Sequence, residues 1–198
     1  MFTKIIVTVF LLAVTYCRVL QVRNAGSVPL LISVTGQSDL TLLSETTALV
    51  TVEDDFAGSI SAIPSGSERF DIPRTKAELT LSVAGDSYAV SLKDGFNLKA
   101  KLGILGSRIG ISLKKKVRNI CFLMCCSNSR KNCSSALCSA NLNTNCPIAN
   151  KVFNSLGDVV ACKNSPLVFK AICPKAIVSS DDTGVLTCQA ASYLVLLG

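Results

Sequence analysis

Tyr88-Ala89-Val90-Ser91-Leu92-Lys93-Asp94-Gly95-Phe96-Asn97 opens as a short β-forming run and breaks at Asp-Gly, an ordinary turn signal. The same grammar repeats back toward the amino-terminus. Val19 to Val22, Leu30 to Val34, Ala48 to Val52, Ser59 to Ile63 and Leu79 to Val83 are alternating or β-branched runs. Between them lie Asn24-Ala25-Gly26, Thr35-Gly36, Asp54-Asp55, Pro64-Ser65-Gly66 and Ala84-Gly85-Asp86. Runs at this spacing, with no helical period between residues 18 and 98, predict an all-β fold, an antiparallel β-sandwich. Toward the carboxyl-terminus the grammar changes. From Cys121 onward the chain holds nine of its ten cysteines and few regular strands, the pattern of a loop-rich region held by bridges. Tyr193 to Leu197 then reads as a closing strand. The expected organisation is a sandwich core over 18–98 with its closing strand in 185–198, a basic glycine-containing insertion over 99–132, and a cysteine-rich region over 133–184.

The 198 residues suffice for one compact domain, or one domain with a small appendage. There is no histidine and no tryptophan. Without imidazole, Ser-His-Asp and Cys-His nucleophile systems and histidine-based zinc sites are excluded. Without indole, the best aromatic platform for a sugar ring is absent. The net charge of +7 is local: residues 93–118 carry eight basic residues against Asp94 alone, and the rest of the chain is balanced. That segment is either a solvated loop or a patch for an anionic surface. With only Phe96 interleaved, it does not form the stacking platform of a nucleic-acid binder.

Met1-Phe2-Thr3-Lys4, the apolar run Ile5 to Val14, and Thr15-Tyr16-Cys17 read as a secretory signal peptide over residues 1–17, cut after Cys17 and too short to span a bilayer. The competing reading is a buried strand or helix at the true amino-terminus. No later run reaches the length of a membrane helix. Export to an extracellular, oxidising compartment favours disulfides over metal thiolates. Neither a metal site nor a cofactor is expected. Acid runs at Glu53-Asp54-Asp55 and Asp181-Asp182 have the oxygen ligands calcium takes, yet a solvated turn accounts for the first of them. If Cys17 leaves with the leader, nine cysteines remain, so an otherwise monomeric chain carries a free thiol or an intermolecular bridge.

The signature stretch at Tyr88–Asn97 resembles the strand of thaumatin-like proteins in which Ser-Leu leads into Asp-Gly-Phe-Asn. Further pieces follow in the family's order: Cys133 and Cys138 leading to Cys146-Pro147, then Gly157-Asp158-Val159-Val160-Ala161-Cys162-Lys163, then Cys173-Pro174-Lys175-Ala176, Asp181-Asp182 and Thr187-Cys188. The resemblance covers most of residues 18–198 outside 99–132. It implies the bridges Cys133–Cys188, Cys138–Cys173 and Cys146–Cys162, each stabilising by about 3–4 kcal/mol on chain-entropy grounds. The family's bridge between the first strand and the carboxyl-terminus is missing as a unit, since Ala25 stands at one end and the tail has no cysteine. Cys121, Cys125 and Cys126 have no family counterpart. The sequon Asn132-Cys133-Ser134 has a bridge cysteine at its centre, which lowers its occupancy.

The resemblance also implies a cleft between the sandwich and the cysteine-rich region, lined in the family by an arginine, a glutamate and three aspartates and associated with β-1,3-glucan binding. Glu78, Asp94 and Asp181 or Asp182 match the acids. Ala89 stands where the strand aspartate is expected, and Ile60 to Gly66, where the arginine is expected, holds no basic residue. Converging carboxylates hydrogen-bond sugar hydroxyls, or act as an acid and base pair when their environments differ. Three readings stay open: a secreted, defence-associated binder of β-1,3-glucan or a related cell-wall polysaccharide; an endo-β-1,3-glucanase with Glu78 as general acid and Asp94 as base or nucleophile; and a member with only a structural or partner-binding role, in which these acids cap turns or pair with lysines.

Overall fold

The computed structural model describes residues 17–67, 72–105 and 134–198. In chain order the strands are β1 (Cys17–Asn24), β2 (Leu30–Val34), β3 (Leu40–Leu42), β4 (Thr47–Glu53), β5 (Ala57–Pro64), β6 (Lys76–Thr80), β7 (Asp86–Ser91) and β8 (Ala100–Ile104). They continue as β9 (Ala136–Cys138), β10 (Lys151–Phe153), β11 (Val159–Cys162), β12 (Leu186–Cys188) and β13 (Ser192–Leu197). Two short helices, α1 (Leu142–Asn145) and α2 (Pro166–Ile172), lie in the cysteine-rich region. No helix among the described residues is long and apolar enough to cross a membrane. Residues 1–16 of the leader expected over 1–17, together with Asn132 of the sequon, Cys121, Cys125, Cys126 and Cys133, lie outside the described residues, while Cys17, the last residue of that leader, opens β1.

A six-stranded sheet in the order β12-β7-β6-β5-β2-β3 faces a five-stranded sheet in the order β4-β1-β13-β8-β9. The fold is the expected all-β sandwich. Alternation decides which side chains enter it. On β6, Ala77 and Leu79 are buried in the core while Lys76 and Glu78 face outward. On β7, Tyr88 and Val90 join the core. Tyr88 meets Tyr193 of β13 across the sandwich with ring centroids 5.5 Å apart and planes tilted by 58°. Most pairings are antiparallel, but β13 runs parallel to β1. Here the closing strand arrives from the far end of the chain, so no hairpin constrains its direction.

Three boundaries differ from the sequence reading. The run placed at Leu79 to Val83 is strand over Lys76–Thr80, because pairing with β5 and β7 sets its register, and Ser82 is drawn into a turn where its amide donates to Asp86 at 3.0 Å. Leu40–Leu42 is too short to announce itself and forms only as the partner of β2. The sandwich also runs past residue 98: β8 pairs with β13 and β9, and Ala100 and Leu102 are core residues.

The signature stretch is the joint between sandwich and cysteine-rich region. Gly95 has φ +117°, a conformation glycine adopts without penalty, and a Cβ there would meet the Cys162 carbonyl and Pro73. Phe96 and Cys162 exchange backbone hydrogen bonds of 2.9 and 2.7 Å, and the Phe96 ring sits 6.3 Å from that of Phe169 on α2. Asn97, 4% exposed, donates to the Ala62 carbonyl at 2.7 Å and accepts from the Thr75 amide at 2.9 Å. The motif thus holds three elements together, and of its polar residues Lys93 and Asp94 alone are well exposed. Cys138–Cys173 and Cys146–Cys162 are formed as the resemblance implied. Cys188 is also disulfide-bonded, while its expected partner lies outside the described residues.

Candidate functional site

Lys76 and Glu78 are two residues apart on β6 and so share its outer face. Glu78 sits directly across from Ala89 of β7 and Ser59 of β5, and Lys76 across from Ser91 and Ser61. Ile177 is laid beside this sheet by hydrogen bonds in which its amide donates to the Val90 carbonyl at 2.8 Å and its carbonyl accepts from the Leu92 amide at 2.7 Å. These strands and the 177–185 segment enclose an open cleft of about 370 Å3, lined by Ser59, Lys76, Glu78, Ser87, Ala89 and Ile177 among others. Side-chain hydroxyls and one half-buried carboxylate make it polar.

Each acid expected in the cleft has a cationic or hydroxyl neighbour. Lys76 pairs with Asp94, and the Lys93 ammonium lies 3.8 Å from the Glu78 carboxylate. The four side chains are between 35% and 54% exposed, so these are solvent-screened pairs. The structure therefore places Glu78 in the cleft and Asp94 at its margin, linked to it through Lys76. Asp181 and Asp182 are not among the lining residues. Asp181 is exposed and accepts from the Ser180 hydroxyl at 3.3 Å. Asp182 turns instead to the Lys170 ammonium at 2.7 Å and accepts from the amides of Val178 and Gly184 at 3.2 Å each. The Lys170 hydrogen bond first, then those amides, hold its carboxyl below the usual range against the effect of burial.

Lys76 and Lys93 are the site residues that sequence reasoning missed. The resemblance places an arginine within Ile60 to Gly66, and Lys76 lies instead on the neighbouring strand, opposite Ser61 of that stretch. The available signal was the spacing Lys76-Ala77-Glu78, which puts both charges on one face of a strand. Arg18, read only as the first residue after the leader, is buried at 7% exposure and donates to Asp86 at 2.5 Å and to Asp54 at 3.2 Å. Asp54 is thus tied to a structural pair.

A β-sandwich braced by disulfides to a loop-rich lobe, with a carboxylate- and hydroxyl-lined cleft where the two meet, defines a class of protein. Residues 62–170 match the model of the Thaumatin family. The chain belongs to that family. A thaumatin-like protein of Arabidopsis thaliana is 32% identical over 171 residues, 71% of this chain and 60% of that protein. Thaumatin-like protein 1 of Pyrus pyrifolia is 34% identical over 113 residues, 56% of this chain and 36% of its own length. The corresponding protein of Prunus persica is 29% identical over 123 residues, 61% and 40% respectively. The matched stretches thus span between about a third and three fifths of these relatives. The crystal structure of the protein elicitor MoHrip2 from Magnaporthe oryzae superposes with a TM-score of 0.44 at 11% identity, covering 91% of this chain and 98% of that one.

Proposed function

We propose that this chain is a secreted, defence-associated protein that adsorbs to β-1,3-glucan or a related neutral cell-wall polysaccharide through the Glu78 cleft. The observation that carries this reading is Glu78 set among the hydroxyls of Ser59 and Ser87 on the floor of an open cleft, with lysine ammonium groups at its edge. Carboxylates and hydroxyls at that spacing exchange hydrogen bonds with sugar hydroxyls, and an open groove admits a polymer rather than only its end. The formed disulfides fit an oxidising compartment.

Binding is favoured over hydrolysis by the ion pairs. Glycoside cleavage uses one carboxyl as proton donor and a second as base or nucleophile, in contrasting environments. Here Glu78 and Asp94 each face a lysine and neither is buried, so neither stands in the apolar pocket that would single it out as the proton donor. Co-sedimentation with insoluble β-1,3-glucan tests the reading. Wild-type protein is retained at high salt, and the double variant Glu78→Ala, Asp94→Ala is not. Retention unchanged in the variant would remove the cleft from the function, and release of reducing ends from soluble glucan would make the protein a glucanase.

A further inference from the structure

On the opposite face of the sandwich, Lys101 of β8 and Leu137 of β9 are register partners whose chain neighbours Ala100, Leu102, Ala136 and Cys138 point into the core. Both therefore face outward. The Cys138–Cys173 disulfide, with Cα atoms 5.0 Å apart, clamps the end of α2 against β9. Leu137 and Ser139 flank one half of the bridge, and Ile172 and Pro174 flank the other. Together with Ser135, Lys101 and Lys175 they line a groove of about 410 Å3. None of the lining residues is acidic. Among the described residues the side-chain ammonium of neither Lys101 nor Lys175 has a hydrogen-bond or ion-pair partner, in contrast to the lysines beside the Glu78 cleft, each of which is held by a carboxylate.

We propose that this disulfide-braced groove binds acidic polysaccharide, a chain of uronic-acid units, at a site separate from the glucan cleft. Two unpaired ammonium groups, each a compact charge with three donors, suit the carboxylate of such a unit. The Ser135 and Ser139 hydroxyls suit its ring hydroxyls, and the aliphatic lining of Leu137, Ile172 and Pro174 suits the C–H face of a pyranose ring. A bare phosphate would leave that aliphatic lining uncovered. Lys101 falls within residues 93–118, whose excess of eight basic residues over one acid favours approach of a polyanion at low ionic strength.

The test is fluorescence anisotropy of a labelled oligogalacturonide with the full-length, disulfide-intact chain, comparing wild type with Lys101→Gln, Lys175→Gln and the double variant. Each single variant weakens binding by about fivefold, the scale of one exposed ion pair, and the double variant by the product. Added salt weakens the wild type, the fully methyl-esterified oligomer fails to compete, and Glu78→Gln binds as wild type does. Equal thermal midpoints for all variants establish that the fold is intact. Wild-type affinity in the double variant, or equal competition by the methyl ester, overturns the proposal. Binding of inorganic phosphate or phosphatidylserine vesicles with the same lysine dependence, without binding of the oligogalacturonide, also overturns it and assigns the groove to those anions.

Discussion

Two charged clusters, each pairing carboxylate with cation, differ in burial. In the first, Asp86 is 1% exposed and accepts hydrogen bonds from the Arg18 guanidinium at 2.5 Å, the Tyr193 hydroxyl at 2.6 Å, the Ala190 amide at 3.1 Å and the Ser82 amide at 3.0 Å. In the second, Lys76, Glu78, Lys93 and Asp94 form two pairs on the outer face of β6 and in the turn after β7, open to solvent. The first ties β1, the turn before β7, β7 itself and the approach to β13 into one unit. The second holds its charges in solvent-screened pairs. A carboxylate that is buried and fully partnered ties distant elements together, whereas one that is half exposed and singly paired keeps acceptor capacity that the proposed sugar ligand would use.

Breaking the buried cluster gives the largest effect. Asp86→Ala leaves the Arg18 guanidinium buried without its main partner and lowers stability by about 3–5 kcal/mol, read from denaturant midpoints at neutral pH. Arg18→Met costs less, because Asp86 keeps the Tyr193 hydroxyl and two backbone donors. If the two variants were equally destabilised, the donors around Asp86 would not be sharing its charge.

Tyr193→Phe comes next. It keeps the ring against Tyr88 and removes one donor to an ionised carboxylate, a loss of about 1.5–3 kcal/mol. The titration of the cluster gives a matching expectation. Burial would raise the Asp86 carboxyl, but the hydrogen bonds of Tyr193, Ser82, Arg18 and Ala190 outweigh it and hold the group below its ordinary value. In the window between the unfolded value, about 4, and the lower folded one, the unfolded chain carries more protons, so stability rises with pH. The contribution of Asp86 is complete above about pH 4 and is lost as pH falls toward the folded value. Asp86→Asn flattens that acid limb, which denaturant midpoints measured down through it will show. At the alkaline end, burial raises the hydroxyls of both Tyr88 and Tyr193, that of Tyr193 further through the adjacent Asp86. Each adds stability that is lost as pH climbs past about 10.

The contrast between the clusters also explains what the sequence could disclose. Strand runs such as Leu30 to Val34 were legible because their burial alternates residue by residue, and the bridges Cys138–Cys173 and Cys146–Cys162 through the resemblance to thaumatin-like proteins, since order along the chain alone does not fix a pairing. Glu78 and Asp94 were legible as acids flanking a recognisable strand. Their lysine partners were not, since Lys93 reaches back from the turn after β7 to Glu78, and Lys76 reaches Asp94 across 18 residues of chain. Asp182 carried the same sequence signal as a cleft acid. Only the position of Lys170 on α2, 2.7 Å away, shows that it fastens the 178–184 turn. Arg18 and Asp86 lie 68 residues apart, and nothing in either local sequence marks them as partners.

The smallest effect on stability is expected at the exposed cluster, and it separates the two kinds of site most sharply. Lys76→Ala or Lys93→Ala costs less than about 1 kcal/mol, because a screened pair between long side chains contributes little. Each substitution nevertheless changes the cleft. Without Lys93 the Glu78 carboxylate keeps its place on β6 but loses its nearby ammonium, so it is free to accept from a sugar hydroxyl without first giving up an ion pair. Retention on insoluble β-1,3-glucan should therefore be maintained or increased in Lys93→Ala while the denaturation midpoint stays at the wild-type value. A fall in retention would mean that the ammonium itself meets the sugar, and that the ion pair between Lys93 and Glu78 is the binding unit.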